Sequence, residues 1–234
     1  MESSFKTTDA CCCDAIFTLN QDVLLEQHYL QHVLLASDRR KWDGPQIPGM
    51  LPVRPGEQAL FQHWAVGTLT PSSTYEFSAR SQPLIKLHGS SNWREPGGGP
   101  LMIIGGEKLR AIGSSNILSR YFEYFANCLC GGPSQLCVIG YGFRDAHIND
   151  VLLEAVNKQR MKFFLIDPAG AELFRLVNPT NKAPIYCPGP VDHIFEQGLG
   201  GASKRGLAET FGGSDLVSFD QVNDFFGLSQ RRLS

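Results

Sequence analysis

Residues 136–167 read LCVIGYGFRDAHINDVLLEAVNKQRMKFFLID, and this stretch decides the fold. Leu136-Cys137-Val138-Ile139 is a near-continuous apolar run, as expected of a strand whose sheet is covered on both faces. Asp145 suits the N-cap of the next helix, whose buried face would be Ile148, Val151, Leu152 and Ala155. Lys162-Phe163-Phe164-Leu165-Ile166 is again a strand, ended by Asp167-Pro168. Strand, helix and strand at this spacing predict a parallel β-α-β unit, and therefore an α/β fold built on a doubly wound parallel sheet.

Upstream, Leu118, Tyr121, Phe122, Phe125 and Leu129 recur at helical spacing and predict an amphipathic helix stopped by Gly131-Gly132-Pro133. The aromatic residues of that stripe are expected in the core. Ala15 to Leu19 is a short β-type run, and Val23, Leu30, Val33 and Leu34 suit one face of a helix after it. Residues 39–80, rich in Pro, Gly, Ser and Thr, read as a loop or lid excursion. Pro83 to His88 is a second strand with a turn over Gly89-Ser90-Ser91-Asn92, and Leu101 to Ile104 is a third apolar run closed by Gly105-Gly106. Beyond Asn178 the chain reads as irregular, with helical fragments at 191–197 and 218–226 and a polar, frayed end from Leu228. The expected organisation is a single domain over 1–234, with a motif-bearing core at 15–177 and a C-terminal part at 178–234.

Composition narrows the function. The 234 residues are 42% hydrophobic and 19% charged, which excludes a disordered chain. A net charge of −2 and a pI near 6.3 give no electrostatic footprint for nucleic acid or an anionic membrane. No apolar run approaches the ~20 residues of a membrane helix, and Met1 to Asp14 lacks the layout of a signal peptide. A cytoplasmic protein is the expectation. Its seven cysteines lack paired C-x-x-C spacing, Cys128-Leu129-Cys130 coming nearest, so free thiols are expected and a metal is not.

In open α/β sheets, ligands bind beyond the carboxyl ends of the strands. The residues at those tips are Asn20-Gln21-Asp22, His88-Gly89-Ser90, Gly105-Gly106, Gly140 to Asp145, and Asp167. If the strands are neighbours, these tips converge on one crevice. Such a set suits a ligand of ribose and phosphate: Asn and Asp bond sugar hydroxyls, and glycines let phosphate oxygens approach main-chain N–H groups.

Three of these segments carry a resemblance. Phe17-Thr18-Leu19-Asn20-Gln21-Asp22, Ile85-Lys86-Leu87-His88-Gly89-Ser90 and Val138 to Asn149 (VIGYGFRDAHIN) are similar, in order, to the motifs of the prokaryotic sirtuin-like domains, over about residues 15 to 170. The resemblance implies a Rossmann-like fold and an NAD glycohydrolase, often the toxic effector of an antiphage (antiviral) defence system. It implies that Asn20 and His88 are essential for NAD cleavage, with Asp22 beside them. It makes Gly89 and Ser90, with the Gly140-Tyr141-Gly142-Phe143-Arg144-Asp145 loop, border the dinucleotide, and it puts Asp167 near the adenosine ribose. Family members begin with a Gly-rich strand-to-helix turn well before the Asn motif. Here 19 residues precede Asn20 and none is glycine, so the expectation is an N-terminally shortened domain lacking that first β-α unit.

The residue types suit the reaction. Cleavage of the nicotinamide–ribose bond passes through an oxocarbenium-like state, and the leaving group already carries positive charge, so no strong acid is needed. His88 can act as base, Asn20 can hold the ribose and a water, and Asp22 can support the sugar or the developing charge. Plainer readings stand beside these. Asn20 could cap the following helix, His88 could be a satisfied strand-end histidine, and Arg144 could touch phosphate or solvent. His147 and Asn149, in the first turn of a helix, suit either pocket contact or surface exposure. The alternative functions are an inactive NAD- or ADP-ribose-binding or scaffolding module, and a sirtuin-type deacylase, disfavoured for want of zinc-ligand cysteine pairs. The implied partners are NAD and either a regulatory or sensor protein or further copies of the chain.

Overall fold

In the computed structural model, the described residues are 15–29, 44–53, 67–76, 81–173, 189–211 and 216–227. The chain divides into two compact units, residues 1–123 and 124–234. Cys11 to Cys13, Cys187, most of the 39–80 excursion, the stretch from 178 to 188 and the end from Leu228 lie outside the described residues.

The first unit holds two sheets. Strands β1 (Ile16–Thr18), β5 (Ser81–Lys86) and β2 (Gly44–Gln46) form a parallel sheet in the order β1-β5-β2. Strands β3 (Met50–Pro52), β4 (Leu69–Pro71), β6 (Gly89–Arg94) and β7 (Pro100–Met102) form a mixed sheet in that order. Helix α1 (Leu24–Tyr29) follows β1, and α2 (Lys108–Ser114) follows β7. Leu84, Ile85, Leu69 and Trp93 are fully buried, each such side chain being worth about 1.5–3 kcal/mol of burial.

Helix α3 (Asn116–Cys130) begins in the first unit and ends in the second. Of its predicted apolar face, Leu118, Tyr121, Phe125 and Leu129 are buried and Phe122 is half-buried. In the first unit Tyr121 stacks edge-on against Trp93 at 6.0 Å and donates its hydroxyl to the Pro48 carbonyl at 2.5 Å. The helix stops at Cys130, before the glycine pair.

The second unit carries the β-α-β unit that residues 136–167 predict. Strands β8 (Gln135–Ile139) and β9 (Lys162–Ile166) pair in parallel across α4 (Ala146–Gln159), and β10 (Leu199–Ser203) adds to the far side of β9 in the order β10-β9-β8. Helices α5 (Pro190–Gly198), α6 (Leu207–Phe211) and α7 (Leu216–Phe225) complete the unit. Ile148, Val151, Leu152 and Ala155 of α4 are buried as expected, and Phe163, Leu165, Ile194 and Phe195 fill the interior. The chain is therefore α/β, with parallel and mixed sheets. Among the described residues, no helix is long and apolar enough to cross a membrane.

The structure departs from local expectation in two places. Gly89 to Asn92 is not a turn: the turn falls at Leu87 and His88, and Gly89–Arg94 is a strand whose pairing to β7 overrides its Gly/Ser/Asn composition. The 39–80 stretch is not wholly irregular, because three short strands lie within its described parts.

Candidate functional site

In the first unit, parallel pairing sets the geometry. Thr18 is register partner to Lys86, and the Leu87 amide donates to the Thr18 carbonyl at 3.0 Å. Asn20 and His88 each lie two residues beyond a register partner, so both follow the carboxyl edge of the same pair of strands. Asn20 is exposed, whereas His88, Gly89 and Ser90 are buried. The Asn20 amide N–H is taken up by the Thr18 hydroxyl at 3.0 Å. Asp22, exposed, accepts the Leu24 N–H through Oδ1 at 3.0 Å. The side-chain oxygen at the start of α1 is thus that of Asp22, and the capping alternative for Asn20 is not what the hydrogen bonds show.

Gln21 joins three segments. Its carbonyl accepts the Ser91 N–H at 2.8 Å and the Ser90 hydroxyl at 3.3 Å. Its side-chain amide donates to the Ile103 carbonyl, and the Ile103 N–H in turn donates to the His88 carbonyl at 2.9 Å. Gly89 has φ +74, and a Cβ there would lie 2.2 Å from the Leu101 carbonyl oxygen. Only glycine lets the chain leave His88 in this direction.

Below these tips lies an ion pair that the sequence reading did not single out. Lys86 Nζ meets Glu26 Oε1 at 2.7 Å, with the two side chains 1% and 0% exposed, and Nζ also donates to the Asp22 carbonyl. The second oxygen of Glu26 is buried with no hydrogen-bond partner among the described residues. The available signal was a lysine inside the apolar run Pro83-Leu84-Ile85-Lys86-Leu87.

In the second unit, Gly140 follows β8 and Asp167 follows β9, and the pairing of Ile139 with Ile166 puts the two tips side by side. The Gly140 N–H donates to the Ile166 carbonyl at 3.1 Å, and Asp167 N–H to the Ser203 carbonyl at 3.1 Å. Asp167 Oδ1 accepts the Ala169 N–H at 2.8 Å. The loop from Gly140 to Asp145 is tied from within. Asn149, buried, donates to the Phe143 carbonyl at 2.8 Å and accepts the Tyr141 hydroxyl at 2.9 Å. Burial, with the negative charge of Asp145, pushes the Tyr141 hydroxyl well above the ordinary tyrosine range.

Phe143 holds φ 50, a left-handed conformation that costs a non-glycine residue about 1 kcal/mol. Its ring is buried against Phe195 at 4.8 Å and Phe163 at 6.1 Å, which outweighs that strain. Arg144 is exposed, and Asp145 stands at the N-cap of α4 in extended conformation, its side chain making no capping hydrogen bond. His147 and Asn149 are both buried, so the surface reading of that turn does not hold.

Each unit therefore presents its expected residues at one sheet edge of its own: Asn20, Asp22, His88, Gly89 and Ser90 in the first, Gly140 to Asp145 and Asp167 in the second. The first edge combines an exposed amide and carboxylate with a buried imidazole, a donor and base set suited to sugar hydroxyls. A family model described as a SIR2-like domain matches residues 14–180. The curated proteins and the solved structures gave no match.

Proposed function

The chain belongs to the SIR2-like family, an NAD-associated class of domain, and from that premise we propose that it cleaves NAD to nicotinamide and ADP-ribose. The observation that carries the reading is the shared strand edge of Asn20 and His88, set by the Thr18–Lys86 register. In the proposed reaction His88 accepts the proton of the attacking water. Asn20 holds the nicotinamide-side ribose and that water through its amide. Asp22 keeps Oδ2 for the sugar while Oδ1 is engaged by the Leu24 N–H. The bond broken is the ribose C1′–nicotinamide bond, its electron pair leaves with neutral nicotinamide, and the bond formed joins water oxygen to C1′.

In the second unit, Gly140 to Asp145 and Asp167 are proposed as dinucleotide-binding residues, with Gly89 and Ser90 in the same role in the first. The biological role proposed is that of a defence effector whose NAD consumption is controlled by a partner protein or by self-assembly.

The test is NAD consumption by the purified chain, with nicotinamide release followed beside Asn20→Ala and His88→Ala. Consumption abolished by both substitutions is the expected result. Binding of NAD or ADP-ribose without turnover, under every assembly state tried, would replace this reading with that of an inactive binding module. A requirement for an acylated peptide would replace it with a deacylase.

A further inference from the structure

We infer that the buried Lys86–Glu26 pair is a positioning device, which fixes the Asn20–Asp22 segment against the strand that delivers His88. The inference rests on the NAD-cleavage reading for its catalytic consequence, and on geometry alone for the tether itself.

Lys86 ends β5, two residues before His88, and Glu26 lies in α1, four residues after Asp22. The 2.7 Å contact between them therefore links the two chain segments that carry the candidate reacting groups. Lys86 reinforces the link by donating to the Asp22 carbonyl, so one ammonium holds both the loop and the helix behind it. Neither side chain reaches solvent, their exposures being 1% and 0%. A buried ion pair is seldom more stable than a well-packed apolar pair of similar volume, because both charges must be desolvated. Here Glu26 also leaves one buried oxygen without a hydrogen bond among the described residues, which makes the pair a poor means of stabilising a core. What it does supply is direction: an apolar pair could fill the same volume but could not hold the Asp22 carbonyl.

A displacement of about 1 Å in a reacting group can lower a rate ~100-fold. Lys86 and Glu26 do not reach the edge themselves, so their effect belongs on turnover more than on NAD affinity.

The variant that separates tether from packing is Lys86→Met/Glu26→Leu, which removes both charges together and keeps the volume. Lys86→Met alone would strand a buried carboxylate and lower the thermal midpoint by roughly 10 °C. Hydrogen–deuterium exchange is measured on peptides covering 19–24 and 89–91, with 162–166 of the second unit as internal control, together with steady-state NAD kinetics. Exchange in the first two peptides is expected to accelerate by about 10-fold or more with the control unchanged. kcat is expected to fall by ~10–100-fold with KM within about twofold.

Unchanged exchange at 19–24 overturns the tether, and an unchanged kcat in a variant with loosened exchange overturns its positioning role in turnover. Loosened exchange in a protein whose wild type never turns over NAD upholds the tether and removes the glycohydrolase reading instead. Should the double variant fail to fold, Glu26→Gln carries the same exchange measurement. It keeps an acceptor for Lys86 and weakens the link, with about a threefold acceleration expected.

Discussion

Thr18 and Lys86 are register partners in a parallel pair, and the Leu87 amide closes that register on the Thr18 carbonyl at 3.0 Å. From this one pairing follows the common edge of Asn20 and His88. A shift of one residue would send Lys86 away from Glu26 and turn every side chain of β5 to the opposite face.

Asn20→Ala is expected to separate activity from stability. Asn20 is exposed, and among the described residues it hydrogen-bonds through its backbone N–H rather than its side chain. The substitution should change unfolding free energy by less than about 0.5 kcal/mol while NAD cleavage falls by about 100-fold or more. Urea unfolding beside the nicotinamide-release assay checks both. His88→Ala, at a buried position, is expected to cost stability as well, so its activity should be compared at a temperature where the variant is fully folded.

Gly89→Ala is expected to be among the most damaging single-methyl additions in the first unit. Its Cβ would meet the Leu101 backbone oxygen at 2.2 Å, and the backbone there is left-handed, at φ +74. A loss of about 3 kcal/mol or more is expected in thermal or urea unfolding. Gly98→Ala is the control: φ is +88 but nothing lies within 4 Å of the added methyl, so only the conformational cost of about 1 kcal/mol applies.

At Phe143 two effects oppose each other. Glycine would relieve the left-handed strain at φ 50, worth about 1 kcal/mol, but would empty a buried site bounded by Phe163 and Phe195, at about 3–5 kcal/mol. Burial wins, and Phe143→Gly is expected to destabilise by about 2–4 kcal/mol. Asn149→Ala, which leaves the Phe143 carbonyl without its donor, should cost about 1–3 kcal/mol. Equilibrium unfolding of both variants tests the order.

The raised pKa of Tyr141 predicts a loss of stability in alkali. The neutral hydroxyl is favoured in the folded chain by burial and by repulsion between a phenolate and Asp145. Above the ordinary tyrosine value of 10.0, the unfolded chain releases this proton while the folded chain keeps it. Stability is therefore fully present below about pH 10 and declines as pH rises towards the folded value. Tyr121, raised mainly by burial, acts in the same sense. Tyr141→Phe should cost about 1 kcal/mol near neutrality and should flatten part of the decline in urea midpoints between about pH 9.5 and 11.5.

Much of this architecture is legible where apolar periodicity is strong. The run from Lys162 to Ile166 coincides with β9, and the α4 face of Ile148, Val151, Leu152 and Ala155 is buried as its spacing implies. Elements held by backbone pairing rather than by side-chain pattern were not legible. Leu199-Gly200-Gly201-Ala202-Ser203 has neither β-branched nor alternating residues, yet it pairs with β9 from Phe163 to Ile166. At the candidate site, the tips could be found from the ends of predicted strands. The Lys86–Glu26 pair could not, because partners 60 residues apart leave no local pattern. Gln21 was visible only as a member of its tip, since the segments it joins meet through tertiary pairing.

That glycine strand also constrains how the sequence can drift. A Cβ on Gly200 would lie 2.6 Å from the Phe225 ring, and one on Gly201 would lie 2.7 Å from the Phe164 ring. Aromatic rings occupy the volume that side chains of β10 would fill, so small and large residues are matched between β10 and α7 at Gly200 and between neighbouring strands at Gly201. Enlarging either glycine alone forces a clash, and shrinking either ring alone leaves a void. Variation here can proceed only by paired exchange. Position 200 with 225, and position 201 with 164, should covary among relatives that keep this strand.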